Sequence, residues 1–145
     1  SMQRDPECIF CKVVAAQVPA FVVYEDQATI AFLDVGPLAE GHLLVVPREH
    51  YAKLSDMPAQ LAADLGSKLP LLGRALMKVT SKSALNVLCN EGADAGQVVK
   101  HVHFHLIPRR GADQLGYRWK AGEYAPGRAA ELAAAYQKAI ASHHA

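Results

Sequence analysis

Apolar residues follow two different spacings along the chain, and the change of spacing divides it into strands and helices. Three short runs rich in β-branched and aromatic residues predict strands in the first third: Phe21–Tyr24, Thr29–Leu33 and His42–Pro47. The first two runs are separated by Glu25–Gln27, which predicts a hairpin. The third run is almost continuously apolar, which is typical of a central strand covered on both faces.

A helical spacing replaces the strand pattern after residue 54. Ser55–Pro58 has the composition of a helix start. The following apolar positions recur at steps of three and four residues and predict one long amphipathic helix, with a kink expected at Pro70. These positions are Leu61, Leu65, Leu69, Leu72, Leu76 and Val79.

Two further strands are predicted in the second half of the chain. They are Leu85–Asn90 and His101–Pro108. The loop Glu91–Gln97 joins them and is rich in Gly, Ala and Asp. A loop of this composition can bring backbone N–H groups close to a ligand.

The remaining residues form a tail, residues 111–145. Beyond Arg110, glycines and the lone Trp119 indicate irregular structure, and Ala129–Ile140 carries the apolar stripe of a helix. The elements together predict one α+β domain over residues 1–145. We expect an antiparallel sheet of about five strands packed by one long helix, with a second helix at the C-terminus.

Composition and charge narrow the class of protein. The 145 residues are 51% hydrophobic, which matches one globular domain. The formal charge of +1 provides no basic field for a nucleic-acid backbone, and no apolar run reaches the ~18 residues of a membrane span. The N-terminus has no signal-peptide layout, and Ser1 before Met2 is interpreted as a cloning scar. We therefore expect a soluble cytoplasmic protein without nucleic-acid or membrane partners.

Histidines alternate with apolar residues in the last predicted strand, in the run His101–His105. Because successive side chains of a strand point to opposite faces, His101, His103 and His105 are expected on one face. The pattern allows a solvated histidine-rich face, a metal site of all three imidazoles, or a catalytic site. The Gly-rich loop upstream and the flanking cations suit an anionic ligand and favour the catalytic interpretation. The cations are Lys100, Arg109 and Arg110.

Imidazole chemistry favours phosphorus as the target of such a site. A neutral imidazole nitrogen is a nucleophile at pH 7, because its unperturbed pKa is about 6.5 and no separate base is needed. Attack on phosphorus gives a phospho-histidine that water can then cleave. The other ring nitrogen must donate its proton to an acceptor, so neighbouring residues decide which nitrogen attacks.

The three cysteines do not form a disulfide framework, since their number is odd. Cys89 lies in an apolar run and is expected to be a small buried hydrophobe. Cys8-x-x-Cys11 allows half of a zinc site, half of a redox pair, or neither. A structural zinc needs four ligands, and only histidines can complete the set here, with His50 the best third candidate.

Further motifs accompany the histidines. Gln97 lies four residues before His101, and Asn90-Glu91-Gly92 begins the loop between the last two strands. Upstream motifs occur in a defined order: Cys8–Lys12, Val18–Pro19, Tyr24–Asp26, Ala31–Asp34 and Gly41–Pro47. Over residues 8 to 110, this set resembles the histidine-triad (HIT) family of nucleotide hydrolases and transferases.

The resemblance implies roles for single residues. His103 would be the nucleophile that becomes nucleotidylated, and His101 would orient it through its backbone carbonyl. His105 and His42 would hydrogen-bond the α-phosphate or hold the site. The phosphate loop would approach the ligand at Gly96, with Asn90 and Gln97 contacting phosphate oxygens. The nucleoside pocket would be lined by Ile9, Phe10, Val13, Phe32 and Val35, with Asp34 accepting hydrogen bonds from ribose hydroxyls.

The resemblance also implies a metal and an assembly. In the family's Cys-x-x-Cys branch, the first triad histidine completes a structural zinc site, which here would consist of Cys8, Cys11, His50 and His101. The zinc would stabilise the fold rather than act as a Lewis acid. Members of the family commonly form homodimers through the long helix and a sheet edge, and a homodimer is expected here.

The activity implied by the resemblance is hydrolysis at the α-phosphate of a nucleotide conjugate, through a covalent nucleotidyl-histidine intermediate. Adenosine phosphoramidates and dinucleoside polyphosphates are the expected substrates. The alternatives are a non-catalytic nucleotide-binding module and a nucleotidyl transferase. Val98 stands where many family members carry serine or threonine, whose hydroxyl could help to protonate the leaving group, and valine cannot donate a proton.

Overall fold

The computed structural model of the chain describes residues 3–116 and 120–143. It divides into two compact units, one extending to Leu115 and the other beginning at Gly116. The expected cloning scar Ser1 and the lone Trp119 lie outside the described residues. The elements that carry the candidate chemistry all belong to the first unit.

A five-stranded antiparallel sheet occupies the first unit and confirms the predicted fold class. Its strands are β1 (Val22–Glu25), β2 (Thr29–Leu33), β3 (Leu43–Pro47), β4 (Ala84–Cys89) and β5 (Phe104–Arg109). Their order across the sheet is β1-β2-β3-β5-β4. The predicted hairpin is present as the antiparallel pair of β1 and β2.

Three α-helices are described: α1 (Ile9–Val14), α2 (Ala59–Thr80) and, in the second unit, α3 (Arg128–His143). The predicted long helix corresponds to α2, which continues through Pro70 and ends where Ser81 adopts a left-handed conformation. The sequence did not predict α1, because its six residues are too few to show a helical period. None of the helices in the described ranges has the length and hydropathy needed to cross a bilayer.

Alternate residues of the central strands belong to two separate cores. One core joins Ile30, Phe32, Leu44 and Val46 to the apolar side chains of α1. The other joins Ala31, Leu43, Val45 and Leu106 to Leu65, Leu72 and Leu76 of α2. The two faces of the sheet are therefore covered by different helices, which explains the almost continuous apolar run of β3. His105 is the cross-strand partner of Leu44, so it lies on the face of α1.

The histidine-rich strand is shorter than predicted. Regular pairing of β5 begins at Phe104, opposite Cys89, rather than at His101. Before Phe104 the backbone does not pair with a neighbouring strand in this way, since the Val102 N–H donates a hydrogen bond to the Tyr51 carbonyl. His101 consequently lies before the regular strand, and the expectation that its side chain shares one strand face with His103 and His105 does not hold. Cys89 is half-buried rather than buried, because β4 is an edge strand of the sheet.

Candidate active site and metal centre

A pocket of about 440 Å³ opens on the sheet face that carries α1. All five predicted apolar residues of the nucleoside pocket line it, together with Asp34, Gly96, His103 and His105; the five are Ile9, Phe10, Val13, Phe32 and Val35. The rest of the wall was not predicted to line the pocket: it consists of Val18, Pro19, Ala20, Leu33, Leu44 and Val99, and of Val98, which the family resemblance had singled out only for the hydroxyl residue that it replaces. Nothing in the local pattern distinguishes these residues from core or loop positions.

His103 has one ring nitrogen fixed by the backbone. Its Nδ1 lies 2.7 Å from the carbonyl oxygen of His101. A carbonyl can only accept, so Nδ1 carries the proton and Nε2 keeps a free lone pair. The residue is only 6% exposed, yet it lines the pocket, and Phe10 packs edge-on against its ring at a centroid distance of 5.2 Å. In the neutral ring, the site therefore presents the lone pair of Nε2 next to an apolar cavity.

A chain of hydrogen bonds fixes the protons on His42 and His105. The Leu38 N–H donates to Nδ1 of His42 at 3.1 Å, so the proton of His42 resides on Nε2. That Nε2 lies 2.9 Å from Nδ1 of His105, which must accept and leaves the His105 proton on Nε2. Burial lowers the pKa of His42, and it lowers the pKa of His105 to about 4. Both rings are therefore neutral at pH 7.

Asp34 provides an acceptor at the edge of the pocket. Its Oδ1 accepts from the Gly36 N–H at 2.8 Å, and its Oδ2 lies 3.6 Å from Nε2 of His42. The carboxylate is 23% exposed and lines the same cavity as His103. A carboxylate in this position can accept hydrogen bonds from a polar part of a bound molecule.

The loop between β4 and β5 is held by the side-chain amide of Gln97, which was expected to contact phosphate oxygens. Its Oε1 accepts from the Gly92 N–H at 2.8 Å, while its Nε2 donates to the carbonyls of Ala52 and Val99 at 2.7 and 3.0 Å. The amide is thus used inside the loop and does not line the pocket. Asn90 does not line it either, although its side chain lies beside Gly96. Of the expected phosphate loop, only Gly96 reaches the cavity wall.

The two cysteines of the Cys-x-x-Cys motif lie beside two histidines, and together they form a compact donor cluster. Nδ1 of His101 lies 3.3 Å from Sγ of Cys8, 3.6 Å from Sγ of Cys11 and 3.1 Å from Nδ1 of His50. Sγ of Cys11 lies 3.4 Å from the same nitrogen of His50. These are the four ligands named from the sequence, and their donor atoms lie within 4.8 Å of one another.

A hydrogen bond from His101 to the backbone leaves the other nitrogen of its ring available to bind a metal. Nε2 of His101 lies 2.8 Å from the Pro47 carbonyl and must donate to it, so the lone pair is on Nδ1, which faces the sulfurs. Burial lowers the pKa of His101 to about 4, which keeps this nitrogen unprotonated. Two cysteine sulfurs and two imidazoles are a donor set that zinc prefers. The residues present therefore fit a structural zinc.

The alternative of one ion held by all three triad imidazoles is wrong for this geometry. His101 belongs to the cysteine cluster, and neither candidate ligand group in the described part of the chain contains His103. The second group consists of Asp34, His42 and His105. A metal on Nε2 of His42 would move its proton to Nδ1, opposite the Leu38 N–H that already points there. That group is a hydrogen-bonded relay instead.

Two backbone groups that orient the histidines carried no sequence signal. The Pro47 carbonyl selects the tautomer of His101, and the Leu38 N–H selects that of His42. Main-chain groups are present at every residue, so only the path of the chain brings these two into place. The role of a third backbone group, the His101 carbonyl, had been predicted from the family resemblance.

Comparison with known proteins gives one matching family and several relatives. The family described as "HIT domain" matches residues 15–112. Adenylylsulfatase HINT3 of Arabidopsis thaliana is 41% identical over 115 residues, which is 79% of this chain and 57% of that protein. Protein hit of Bacillus subtilis is 38% identical over 144 residues, covering 97% and 99%. Adenosine 5'-monophosphoramidase HNT1 of Saccharomyces cerevisiae is 45% identical over 106 residues, covering 73% and 65%.

Solved structures share the fold over most of the chain. SMU.412c from Streptococcus mutans superposes with a TM-score of 0.91 at 39% identity, covering 94% of this chain and 87% of that one. A Zn-bound histidine triad family protein from Mycobacterium smegmatis superposes with a TM-score of 0.72 at 32% identity, covering 92% and 97%. The chain spans little more than half of the Arabidopsis relative but almost the whole of both structural relatives.

Proposed function

The chain belongs to the HIT domain family, and we propose that it is a hydrolase that cleaves a nucleotide conjugate at its α-phosphate. One observation carries the proposal: the 2.7 Å contact between Nδ1 of His103 and the His101 carbonyl leaves Nε2 as a free nucleophile at the pocket. The names of the Arabidopsis and yeast relatives, an adenylylsulfatase and an adenosine monophosphoramidase, support this reaction class.

The reaction proceeds in two displacements at phosphorus. Nε2 of His103 attacks the α-phosphorus, a P–N bond forms, and the bond to the distal group breaks with its electron pair. The ring is then a nucleotidylated imidazolium, and its Nδ1–H remains bound to the His101 carbonyl. Water attacks the phosphorus next, the electron pair of the P–N bond returns to Nε2, and a water proton passes to solvent. The products are the nucleoside monophosphate and the released group.

Neighbouring groups bind the substrate around this atom. His105 directs its Nε2–H into the pocket, where it donates to a non-bridging phosphate oxygen. His42 keeps His105 in this tautomer. Asp34 accepts from ribose hydroxyls, and the apolar wall covers the base. Asn90, beside Gly96, is the remaining candidate for a phosphate contact from the loop.

Zinc bound by Cys8, Cys11, His50 and His101 has a structural role. The cluster joins the N-terminal segment to the residue whose carbonyl aims His103. Bound zinc would cross-link these segments, and it would take no part in the two displacements at phosphorus. The Zn-bound relative from Mycobacterium smegmatis supports this metal. Thiol ligands also favour a reducing compartment, in agreement with a cytoplasmic location.

A homodimer is the assembly that the position of β4 at the end of the sheet favours. β4 is at one end of the sheet, and its Val87 is 47% exposed and Leu88 36% exposed. On the neighbouring α2, Val79 is 81% exposed. An uncovered edge with apolar side chains is commonly paired in a native protein. Light scattering of the purified chain measures the mass directly, and a monomer at micromolar concentration would contradict a stable dimer.

Two variants of His103 test the proposed function. His103→Ala removes the ring, while His103→Asn retains an N–H donor for the His101 carbonyl but has no nucleophilic nitrogen. We expect both to lose turnover on a panel of an adenosine phosphoramidate, a dinucleoside polyphosphate and a nucleotide sugar. Wild type should trap an acid-labile nucleotidyl label that neither variant forms. Normal turnover in His103→Asn would refute the proposal, and saturable nucleotide binding without turnover in wild type would favour a binding module.

A further inference from the structure

We infer that Glu91 is a positioning residue of the active site, because its carboxylate holds the loop between β4 and β5 against residues 50–55. We call residues 50–55 the strap. The strap follows β3, and its contacts set where the loop stands beside the pocket. This inference rests on the proposed function and adds to it a residue that acts on substrate binding without touching the substrate.

Hydrogen bonds within the loop make it a compact unit. The Gln97 N–H donates to the Gly92 carbonyl at 3.1 Å, and the Gly92 N–H donates to Oε1 of Gln97 at 2.8 Å. The Gly96 N–H donates to the Ala93 carbonyl at 2.9 Å. Residues 92–97 are therefore closed on themselves, and the position of the whole unit depends on how its two ends are held.

The strap holds the loop at both ends. At the first end, Oε1 of Glu91 accepts from the Ser55 N–H at 2.9 Å, and Oε2 accepts from the Ser55 hydroxyl at 2.6 Å. At the other end, Nε2 of Gln97 donates to the Ala52 carbonyl at 2.7 Å. The loop consequently cannot shift relative to the strap without breaking one of these contacts.

The contact between Glu91 and Ser55 suits both partners. Ser55 lies in the short 3-10 turn Leu54–Asp56, and the first N–H groups of such a turn have no carbonyl partner within it. A carboxylate can accept the N–H and the hydroxyl at the same time. These two hydrogen bonds lower the pKa of Glu91 below its usual value, so the carboxylate is charged at pH 7.

The strap is also bonded to the segment that carries the nucleophile. The Val102 N–H donates to the Tyr51 carbonyl at 2.8 Å, and Val102 stands between His101 and His103. His50, the first residue of the strap, belongs to the metal donor cluster. A loop held by the strap is therefore held in register with His103.

The held loop presents two residues near the bound phosphate. Gly96 lines the pocket, and a Cβ placed on it would lie 3.5 Å from Nδ2 of Asn90, so the Asn90 side chain lies beside it. Asn90 directly precedes Glu91 in the chain. The contact with Ser55 thus fixes the backbone next to the proposed phosphate contact. A displacement of about 1 Å at such a group can cost up to about 100-fold in rate.

The experiment measures kcat/KM for an adenosine phosphoramidate and the Kd of AMP in variants of both partners. We expect Glu91→Ala to lower kcat/KM roughly tenfold and to raise the Kd of AMP by a similar factor. Glu91→Gln keeps one acceptor oxygen and should fall between Glu91→Ala and wild type. Ser55→Ala keeps the N–H and should lose less than Glu91→Ala. Adding Ser55→Ala to Glu91→Ala should cause no further loss, because the contact is already gone.

Three controls separate positioning from stability and assembly. Glu91 and Ser55 are both exposed, so the Tm of each variant should stay within about 3 °C of wild type. Asp94→Ala removes an exposed carboxylate from the same loop, and Asp94 has no hydrogen bond to the strap in the described part of the chain. Its kcat/KM should equal that of wild type. Light scattering checks that every variant keeps the wild-type mass.

The outcomes distinguish this inference from the proposed function. Unchanged kcat/KM and AMP affinity in Glu91→Ala would overturn the inference, although the hydrolase proposal would stand. Losses in Glu91→Ala and Ser55→Ala that multiplied in the double variant would also overturn it, because the two residues would then act separately. A loss that followed a large fall in Tm would show a structural role instead.

A wild type that turned over no substrate would overturn the proposed hydrolysis alone, and the Kd of AMP in the same variants would then decide the role of Glu91. A wild type that neither turned over substrate nor bound AMP would overturn both.

Discussion

The backbone carbonyl of His101 lies 2.7 Å from Nδ1 of His103, while the ring of the same His101 lies among Cys8, Cys11 and His50. One residue thus belongs to two sites, with its side chain in the metal cluster and its main chain at the nucleophile. Phe10 packs edge-on against both histidine rings, at centroid distances of 5.8 and 5.2 Å. Disturbing the cluster should therefore affect the orientation of His103.

The cysteine cluster provides the first prediction. Cys8→Ser and Cys11→Ser should reduce the zinc content from about one per chain to near zero. Because metal binding energy is folding energy at such a site, we expect a loss of several kcal/mol, or roughly 10 °C in Tm. Elemental analysis and thermal melting measure both effects. Cys89→Ser, at a half-buried cysteine outside the cluster, is the matched control and should retain its zinc.

The result that would contradict the zinc hypothesis is specific. Purified wild type without zinc, whose Tm and turnover did not respond to a strong chelator, would exclude a structural metal. A partial loss of turnover on chelation, in step with the fall in Tm, is the expected behaviour.

His42 provides the second prediction. His42→Phe removes the acceptor of the Leu38 N–H and the donor to His105, so His105 is free to adopt the other tautomer. We expect kcat to fall roughly 10- to 100-fold, together with a loss of about 1 kcal/mol because the Leu38 N–H loses its partner. His42→Gln can both accept and donate, and should recover part of kcat. Unchanged kcat in His42→Phe would show that the relay does not support His105.

Gly41 provides the third prediction. It has a φ of 97°, and a Cβ placed there would lie 2.5 Å from Cγ2 of Thr80 at the end of α2. Gly41→Ala should cost roughly 2 kcal/mol or more, from strain at positive φ and from the steric clash. Adding Thr80→Ser removes Cγ2 and should recover only the steric part.

Gly66 is the matched control for this substitution. It lies within α2, and nothing stands within 4 Å of a Cβ added there. Gly66→Ala should raise the free energy of unfolding by about 0.5 to 1 kcal/mol, because alanine favours the helix. Urea unfolding of the variants measures the contrast. Equal effects of the two substitutions would disprove the conformational requirement at Gly41.

Asp26 provides a prediction about pH. Burial acts to raise the pKa of its carboxyl. Four hydrogen bonds outweigh burial and hold this pKa well below its usual value; the donors are the N–H groups of Ala28 and Thr29, the Tyr24 hydroxyl and the Lys68 ammonium. Since the unfolded pKa is about 3.9, the carboxylate contributes its full stability above that pH. The contribution is lost as the pH falls from about 4 towards the folded pKa.

The test compares wild type with Asp26→Asn. At pH 7 the variant should be less stable by about 1.5 to 3 kcal/mol, the usual range for hydrogen bonds to a charged group. The difference should shrink as the pH falls below about 4, where the unfolded wild-type chain binds a proton at Asp26 that the folded carboxylate does not yet bind. A difference that stayed constant between pH 7 and pH 3 would contradict a lowered pKa. Urea unfolding at several pH values provides the measurement.

The elements of the sheet could be predicted because their signal is local. The runs of β2 and β3 differ from the structure by at most one residue, and α2 follows the leucine spacing from Leu61 to Val79. The start of β5 was wrong by three residues, since Val102 bonds to Tyr51 instead of to a neighbouring strand. A backbone partner distant in sequence leaves no trace in the periodicity. The six residues of α1 were missed because a segment of that length has no period to detect.

The sequence by itself determined which reactive side chains are present, namely the alternating histidines and the Cys-x-x-Cys pair. The order of its motifs also determined the family. The family resemblance had also implied that the His101 ring joins the cysteines while His103 and His105 serve the pocket, and the structure brings these groups together in that way. Only the tertiary structure decided which nitrogen of each ring carries the proton and where the Gln97 amide is bonded. The physical reason is that tautomers and side-chain directions depend on main-chain groups such as the Pro47 carbonyl and the Leu38 N–H. Every residue carries these groups, and only folding selects which of them a histidine meets.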